Sequence, residues 1–321
     1  MNWKQQNGIF VPETPLQPIR LFVDETFSQD RSCFLQAGFP VLSNIYDSMI
    51  VPRCRELLAK LGPDAREFKG SAIKRGNVGP YRDFVRLFTS VSTHIADHAP
   101  LFPVVSLEGM ASYESQQFES VRFNVAGALQ NLNASNVDYI VSEFSRQILW
   151  LHCHLLTVAP QSFRNDWVFT FDAKYLHAEQ TRENRFFSSG RLGVATMSSL
   201  ESVLSSCART LLNDSRSVMR LPTIGRVARF RVLRSSDEFG LQAADVLCHL
   251  VYSALRQAVG IVDGNTEFKV NLLKEFMPEF TIDEDLRSKL EVVTGKDGRR
   301  DLGLTDASLR SRFQIAPGEC K

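Results

Sequence analysis

Residues 20–42 read RLFVDETFSQDRSCFLQAGFPVL, two apolar stretches joined by a short hydrophilic connector. Arg20–Glu25 and Cys33–Leu42 predict two strands, and the polar loop TFSQDRS between them fits an antiparallel pair. Outward from this pair, strand-like and helix-like segments alternate. Helices are predicted at Asp47–Leu61, closed by Gly62-Pro63, and at Asp83–His98, Asn136–Val158, Met197–Asn213 and Gly240–Val259. Strands are predicted at Leu101–Leu107, Trp167–Asp172 and Arg226–Leu233, whereas Arg66–Lys74 fits neither period. Two early strands followed by such alternation imply an α/β layered domain. After Gly260 the chain turns polar, with turn signals at Asp263-Gly264-Asn265 and Gly295–Gly298, so residues 1–259 read as the core and 260–321 as a C-terminal appendage packed on it.

The chain has 321 residues, with 37 Lys and Arg against 36 Asp and Glu, so its formal net charge of +1 gives no global pull toward nucleic acid or acidic lipid. Any such partner must be met by a local patch. Phe is abundant, 23 against 6 Tyr and 3 Trp, which suits a Phe-packed core. The apolar run Ile148–Ala159 is broken by His152 and His154 and is far below the roughly 18 residues that a membrane span needs. Met1–Arg20 lacks the pattern of a secretory signal, so a cytoplasmic location without a membrane partner is expected. The six cysteines are scattered, which fits reduced thiols better than a disulfide framework. No P-loop, dinucleotide fingerprint, Gly-x-Ser-x-Gly elbow or His-Glu-x-x-His occurs. His152-Cys153-His154 does not suit shared ligation, because helical residues two apart point in different directions.

The sharper signal is a set of acids carried into apolar surroundings. Asp24 and Glu25 end one strand, Asp172 ends another, and Asp245 lies beside the stripe Leu241, Ala244, Cys248, Val251 and Leu255 of the last strongly periodic helix. Buried carboxylates need a cation, a hydrogen-bond network or a shared proton. Singly, each has an ordinary explanation: Asp24 could cap a turn, Asp172 could start a loop, and Asp245 could bond a backbone amide or pair with an arginine. Together they form the pattern of an oxygen-rich site for Mg²⁺ or Mn²⁺.

Val23-Asp24-Glu25-Thr26, Glu67-Phe68-Lys69-Gly70, the strand-end Asp172 and Gly240-Leu241-Gln242-Ala243-Ala244-Asp245 resemble, in order, the signature elements of the bacterial family catalogued as domain of unknown function 3800. Its members read Asp-Glu-Ser-Gly at the first strand, Glu-x-Lys further on and Leu-Gln-x-Ala-Asp on the last core helix. The resemblance spans Arg20–Arg256, with Thr26-Phe27 in place of Ser-Gly, which alters the turn after the first strand. It implies a ribonuclease H-like fold, a mixed sheet flanked by helices. It further implies that Asp24, Glu67, Asp172 and Asp245 are metal ligands and that Glu25 is an auxiliary acid. Lys69 would meet a scissile phosphate or orient water, and Gln242 would orient a ligand carboxylate. The alternatives are a surface Lys69–Glu67 pair and an ordinary polar residue at the helix start.

Local charge is segregated. Arg216, Arg220, Arg226, Arg229, Arg231 and Arg234 fall in a stretch without an acid, and period two puts Arg229 and Arg231 on one strand face with Phe230 and Val232 on the other. A second basic stretch holds Arg66, Lys69, Lys74, Arg75, Arg82 and Arg86. Arg226, Arg229, Arg231, Lys74 and Arg75 are the candidate contacts to a phosphate backbone; alternatively, arginines on an exposed strand blunt a sheet edge. The leading expectation is a Mg²⁺- or Mn²⁺-dependent nuclease acting on DNA or RNA. The competing one is a non-catalytic nucleic-acid or protein-interaction module on the same fold, in a defence or mobile-element system.

Overall fold

The computed structural model describes residues 3–6, 9–12, 18–27, 33–91, 103–109, 123, 126–127, 167–172, 201–202, 205–206, 228–295, 297–305 and 310–314. It is an α/β fold built on a mixed six-stranded sheet. Strands β1 (Trp3–Gln6) and β2 (Ile9–Pro12) form a separate hairpin. The main sheet contains β3 (Ile19–Phe27), β4 (Cys33–Leu42), β5 (Val104–Gly109), β6 (Trp167–Asp172), β7 (Ala228–Leu233) and β10 (Arg310–Gln314), in the order β10-β5-β4-β3-β6-β7. β3 pairs antiparallel with β4 and parallel with β6, and β7 continues the parallel half. β3 therefore has neighbours on both sides, and Leu21, Phe22 and Val23 are all buried, which is why the middle of the strand is apolar on both faces.

β4 and β6 occupy the stretches expected of them, while β3 extends the predicted strand at both ends and β5 lies slightly later than the Leu101–Leu107 reading. Helical structure begins at Ser43, passes through a wide turn at Tyr46–Ile50 and continues as α1 (Val51–Ala59). α2 (Val78–Val91) starts five residues before the predicted Asp83, because Pro80 sits in its first turn, where a missing N–H costs little. The ambiguous Arg66–Lys74 stretch is an irregular loop with a short 3₁₀ turn at Gly70–Ala72. The predicted helix at Asn136–Val158 lies outside the described residues, and of that at Met197–Asn213 only four residues are described, all helical.

The long helix α3 (Phe239–Ala258) lies on β3 and β4, with α4 (Thr266–Phe276) packed against it. Val270, Leu272, Leu273 and Phe276 of α4 join the same buried cluster as Phe22, Leu35 and Leu241. With Ile261, Met277, Leu286, Leu290 and Leu302 of the same cluster, they carry the C-terminal stretch into the core. That stretch continues through α5 (Glu284–Ser288) and the hairpin of β8 (Leu290–Thr294) and β9 (Arg300–Leu304), and β10 then closes one edge of the sheet against β5. Phe dominates the packing: Phe68 stacks on Phe84 at 3.9 Å, and Phe171 on Phe230 at 5.2 Å across the opposite sheet face.

Two contacts seat the start of α3. Gly240 presses on Phe22 so closely that a Cβ there would collide with the ring. Tyr46, buried beside Phe22, accepts the Gly240 N–H at 3.0 Å, a donor that the first helical turn leaves unpaired, and donates its own proton to Glu238. The guanidinium of Arg20 lies over the Tyr46 ring and bonds both oxygens of Asp47 at 2.9 and 2.6 Å. Burial pushes the Glu238 carboxyl up from 4.5 to about 7, against the opposing pull of Arg20 and the Gly240 amide.

Two outcomes are expected. Gly240→Ala lowers stability by about 1–3 kcal/mol through overpacking against Phe22, read as a lower urea midpoint. For Glu238, the folded-state pKa is raised, so between 4.5 and 7 the unfolded chain is ionised while the folded one holds the proton. Its contribution is whole below 4.5 and is lost as pH rises through 7, a loss of roughly 3 kcal/mol. Glu238→Gln is expected to flatten that part of the pH dependence of the urea midpoint.

Candidate functional site

The register of the parallel pair β3 and β6 runs from Ile19↔Trp167 to Val23↔Phe171. One step further, where β6 and the parallel pairing end, it brings Asp24 beside Asp172 on strands about 5 Å apart; Asp24 and Glu25, expected to end their strand, lie inside β3, which stays paired with β4 as far as Phe27. Strand ends of this kind are where open α/β sheets place their ligands. Asp245 comes from α3 above the sheet, and Glu67 and Lys69 from the loop before α2. With Glu25 and Gln242 they line one cleft of about 350 Å³, together with Phe68, Ser71 and Ser235. Asp24 and Glu25 are 4% and 5% exposed.

Each aspartate is oriented by a backbone amide. Asp24 Oδ1 accepts from Glu25 N at 2.9 Å, Asp172 Oδ1 from Ser235 N at 3.2 Å, and Asp245 Oδ2 from Gly70 N at 2.8 Å. The amide bond expected as the ordinary explanation of Asp245 is therefore present, in a carboxylate that still faces the cleft. The other side of Asp245 meets His249, whose Nε2 lies 3.4 Å from Oδ1. Glu67 pairs with Lys69 at 2.8 Å through Oε1 and accepts from Ser235 Oγ at 3.3 Å through Oε2. Its hydrogen bond and charge, aided by Asp245 and Asp172, hold the Lys69 ammonium above the usual lysine range against partial desolvation.

The loop carrying Glu67 and Lys69 is clamped at three successive amides. Phe68 N donates to Gln242 Oε1 at 2.9 Å, Lys69 N to Tyr81 Oη at 3.1 Å, and Gly70 N to Asp245. Tyr81 returns its proton to the Lys69 carbonyl at 2.9 Å, and burial raises its pKa. Gly70 lies against His249 where a Cβ would collide with the ring. Gln242, expected to orient a ligand carboxylate, instead bridges two loops: its Nε2 donates to Ser235 O at 2.7 Å while Oε1 holds Phe68. A fully buried amide at that spot is satisfied only by backbone groups on both sides.

Among the described residues no three His, Cys, Asp or Glu side chains form a ready-made ligand group for one ion. The acids ring the cleft instead of converging. An all-oxygen donor set of this kind suits a hard cation that keeps most of its waters and takes one or two carboxylates, not an ion held in a protein cage.

Exposed cations lie on two segments that adjoin the site residues in the sheet or along the chain. Arg229 and Arg231 of β7 are exposed, and their register partners Val168 and Thr170 place them on the sheet face of Asp172. Phe230 and Val232 are buried, as the alternation predicts. The outward amides of Phe230 and Val232 are capped by Ser205 Oγ and Glu201 Oε1, both at 3.0 Å, so side-chain acceptors already close this edge without the arginines. Lys74 and Arg75 are exposed just past the Glu67–Gly70 loop, whereas Arg82 is paired with Glu275 at 2.6 Å. Arg226 lies outside the described residues.

Ser235, Tyr81 and His249 were not singled out from the chain. The place of Ser235 just past the end of a parallel strand was its one sequence signal; Tyr81 and His249 gave none, since helical position alone does not show which loop packs on them. No protein-family model, curated protein or solved structure matches the chain.

Gln242→Leu is expected to leave Phe68 N without a partner, while Ser235 O keeps the Glu238 N–H, and to lower stability by about 1–3 kcal/mol. Urea unfolding and faster hydrogen exchange at the Phe68 amide would report it.

Proposed function

We propose that this chain is a divalent-metal-dependent nuclease of ribonuclease H-like architecture, related to the family catalogued as domain of unknown function 3800. The observation that carries the reading is that Asp24, Glu67, Lys69, Asp172 and Asp245, from two strands, a loop and a helix, line one polar cleft where the parallel pairing of β3 and β6 ends. The mixed sheet, antiparallel on one side of β3 and parallel on the other, supports the architecture.

Asp24, Glu67, Asp172 and Asp245 would hold the cation. When bound, Mg²⁺ or Mn²⁺ supplies Lewis-acid polarisation of a phosphodiester and a more acidic water. The chain's own residues do the rest. The backbone amides on Asp24, Asp172 and Asp245 hold the carboxylate planes in place before a substrate arrives. Lys69 meets a phosphoryl oxygen on which negative charge develops. Arg229 and Arg231 on one side and Lys74 and Arg75 on the other follow the phosphate backbone, whose affinity then falls steeply with salt. DNA and RNA both fit this description.

Asp24→Asn and Asp245→Asn keep an amide oxygen for Glu25 N and Gly70 N, so both variants are expected to fold. Each should lower Mg²⁺- or Mn²⁺-dependent cleavage of a labelled oligonucleotide by more than about 100-fold. Undiminished cleavage by both would overturn the assignment. The ringed arrangement of the acids favours a second reading, a nucleic-acid-binding module without catalysis. Intact oligonucleotide affinity with no divalent-ion binding in a calorimetric titration would select it.

A further inference from the structure

Among the described residues, five acids and one lysine line the cleft. Two features of that lysine differ in kind. Its backbone is fixed, held at N–H and C=O by the Tyr81 hydroxyl and flanked by the clamped amides of Phe68 and Gly70. Its side chain is 55% exposed and tethered by four methylenes, with its end on Glu67 Oε1 at 2.8 Å. A rigid anchor with a mobile charged tip can trade one anionic partner for another at little cost in backbone order.

We infer that the Lys69 ammonium is a resident counter-charge of the acid cluster, and that a divalent cation displaces it from Glu67 so that it turns to a phosphate oxygen of the substrate. The inference rests on the nuclease reading and adds to it a coupling between cation binding and substrate binding. Lys69 lies in the fields of Glu67, Asp245 and Asp172, three of the four acids assigned to the ion. An ammonium and a dication repel each other while competing for the same carboxylates, and the repulsion is strongest inside a partly desolvated cleft. The ammonium is the side able to leave, because its stem is flexible and its far end reaches solvent. Glu67 stays in place, held through Oε2 by Ser235. Once displaced, the lysine adds a positive charge on the open side of the cleft, where a polyanion arrives. By linkage, the phosphate that draws Lys69 away from Glu67 also tightens cation binding.

Calorimetric titration of the full chain with Mn²⁺ tests this without a substrate, comparing wild type, Lys69→Met and Lys69→Arg. The methionine keeps the stem and removes the charge; the arginine keeps the charge. Lys69→Met is expected to bind Mn²⁺ about tenfold more tightly than wild type, with Lys69→Arg near wild type. Equal or weaker binding by Lys69→Met, or tightening by Lys69→Arg to the same degree, overturns the inference and leaves the nuclease reading standing. Binding by Lys69→Met where wild type shows none supports it, and binding by neither overturns both. A second measurement needs no change at Lys69 in the protein observed. In wild type with ¹³C-methylated lysines, the Lys69 signal, identified by its absence from Lys69→Arg, is expected to move toward the position of a solvated lysine as Mg²⁺ is added. A signal unmoved at saturating Mg²⁺ overturns the displacement.

Discussion

The close seating of α3 on β3, at the point where Gly240 meets the ring of Phe22, sets the dimensions of the whole cleft. Phe22 and Asp24 share one face of β3, two residues apart, while Asp245 lies little more than a turn beyond Gly240 on the helix. The height of the helix over the strand is therefore the height of Asp245 over Asp24. Tyr46 secures the same junction from the side by taking the Gly240 amide, and Cys248 leans its thiol toward the Asp24 carbonyl further along the helix. A larger residue at position 240 would lift α3 from the sheet and separate the two acids.

From that junction order spreads outward through backbone groups more than through side-chain pairs. Gln242 holds the loop of Glu67 with one end of its amide and the loop of Ser235 with the other, and Ser235 in turn bonds both Asp172 and Glu67. Removing the charge on any one acid leaves this frame intact. The frame gathers negative charge where the parallel pairing of β3 and β6 ends, and exposed arginines and lysines lie on adjoining segments. A formal net charge of +1 is the sum of these segregated groups and says little about the field that a polyanion would meet.

The chain by itself determined the parts that depend on local periodicity. The strands at Cys33–Leu42 and Trp167–Asp172 and the helix carrying Asp245 are legible because each has one apolar face or a continuous apolar run that only one secondary structure can bury. Asp172 at its strand end was legible for the same reason, as a charge at the margin of a run that must be buried, whereas Asp24 and Glu25 lie within a strand that continues to Phe27. The loop at Arg66–Lys74 was not, because its conformation is imposed by Gln242, Tyr81 and Asp245, residues far away in sequence. The role of Gln242 as a strut between two loops was equally invisible, since spacing shows which face of a helix a side chain occupies but not which backbone amide will stand opposite it. Only the tertiary structure decided that Asp24, Glu67, Asp172 and Asp245 share one cleft and that the Asp172 and Asp245 carboxylates are aimed by amides from other segments. These are contacts between segments separated by up to 175 positions, fixed by how closely a helix can approach a sheet.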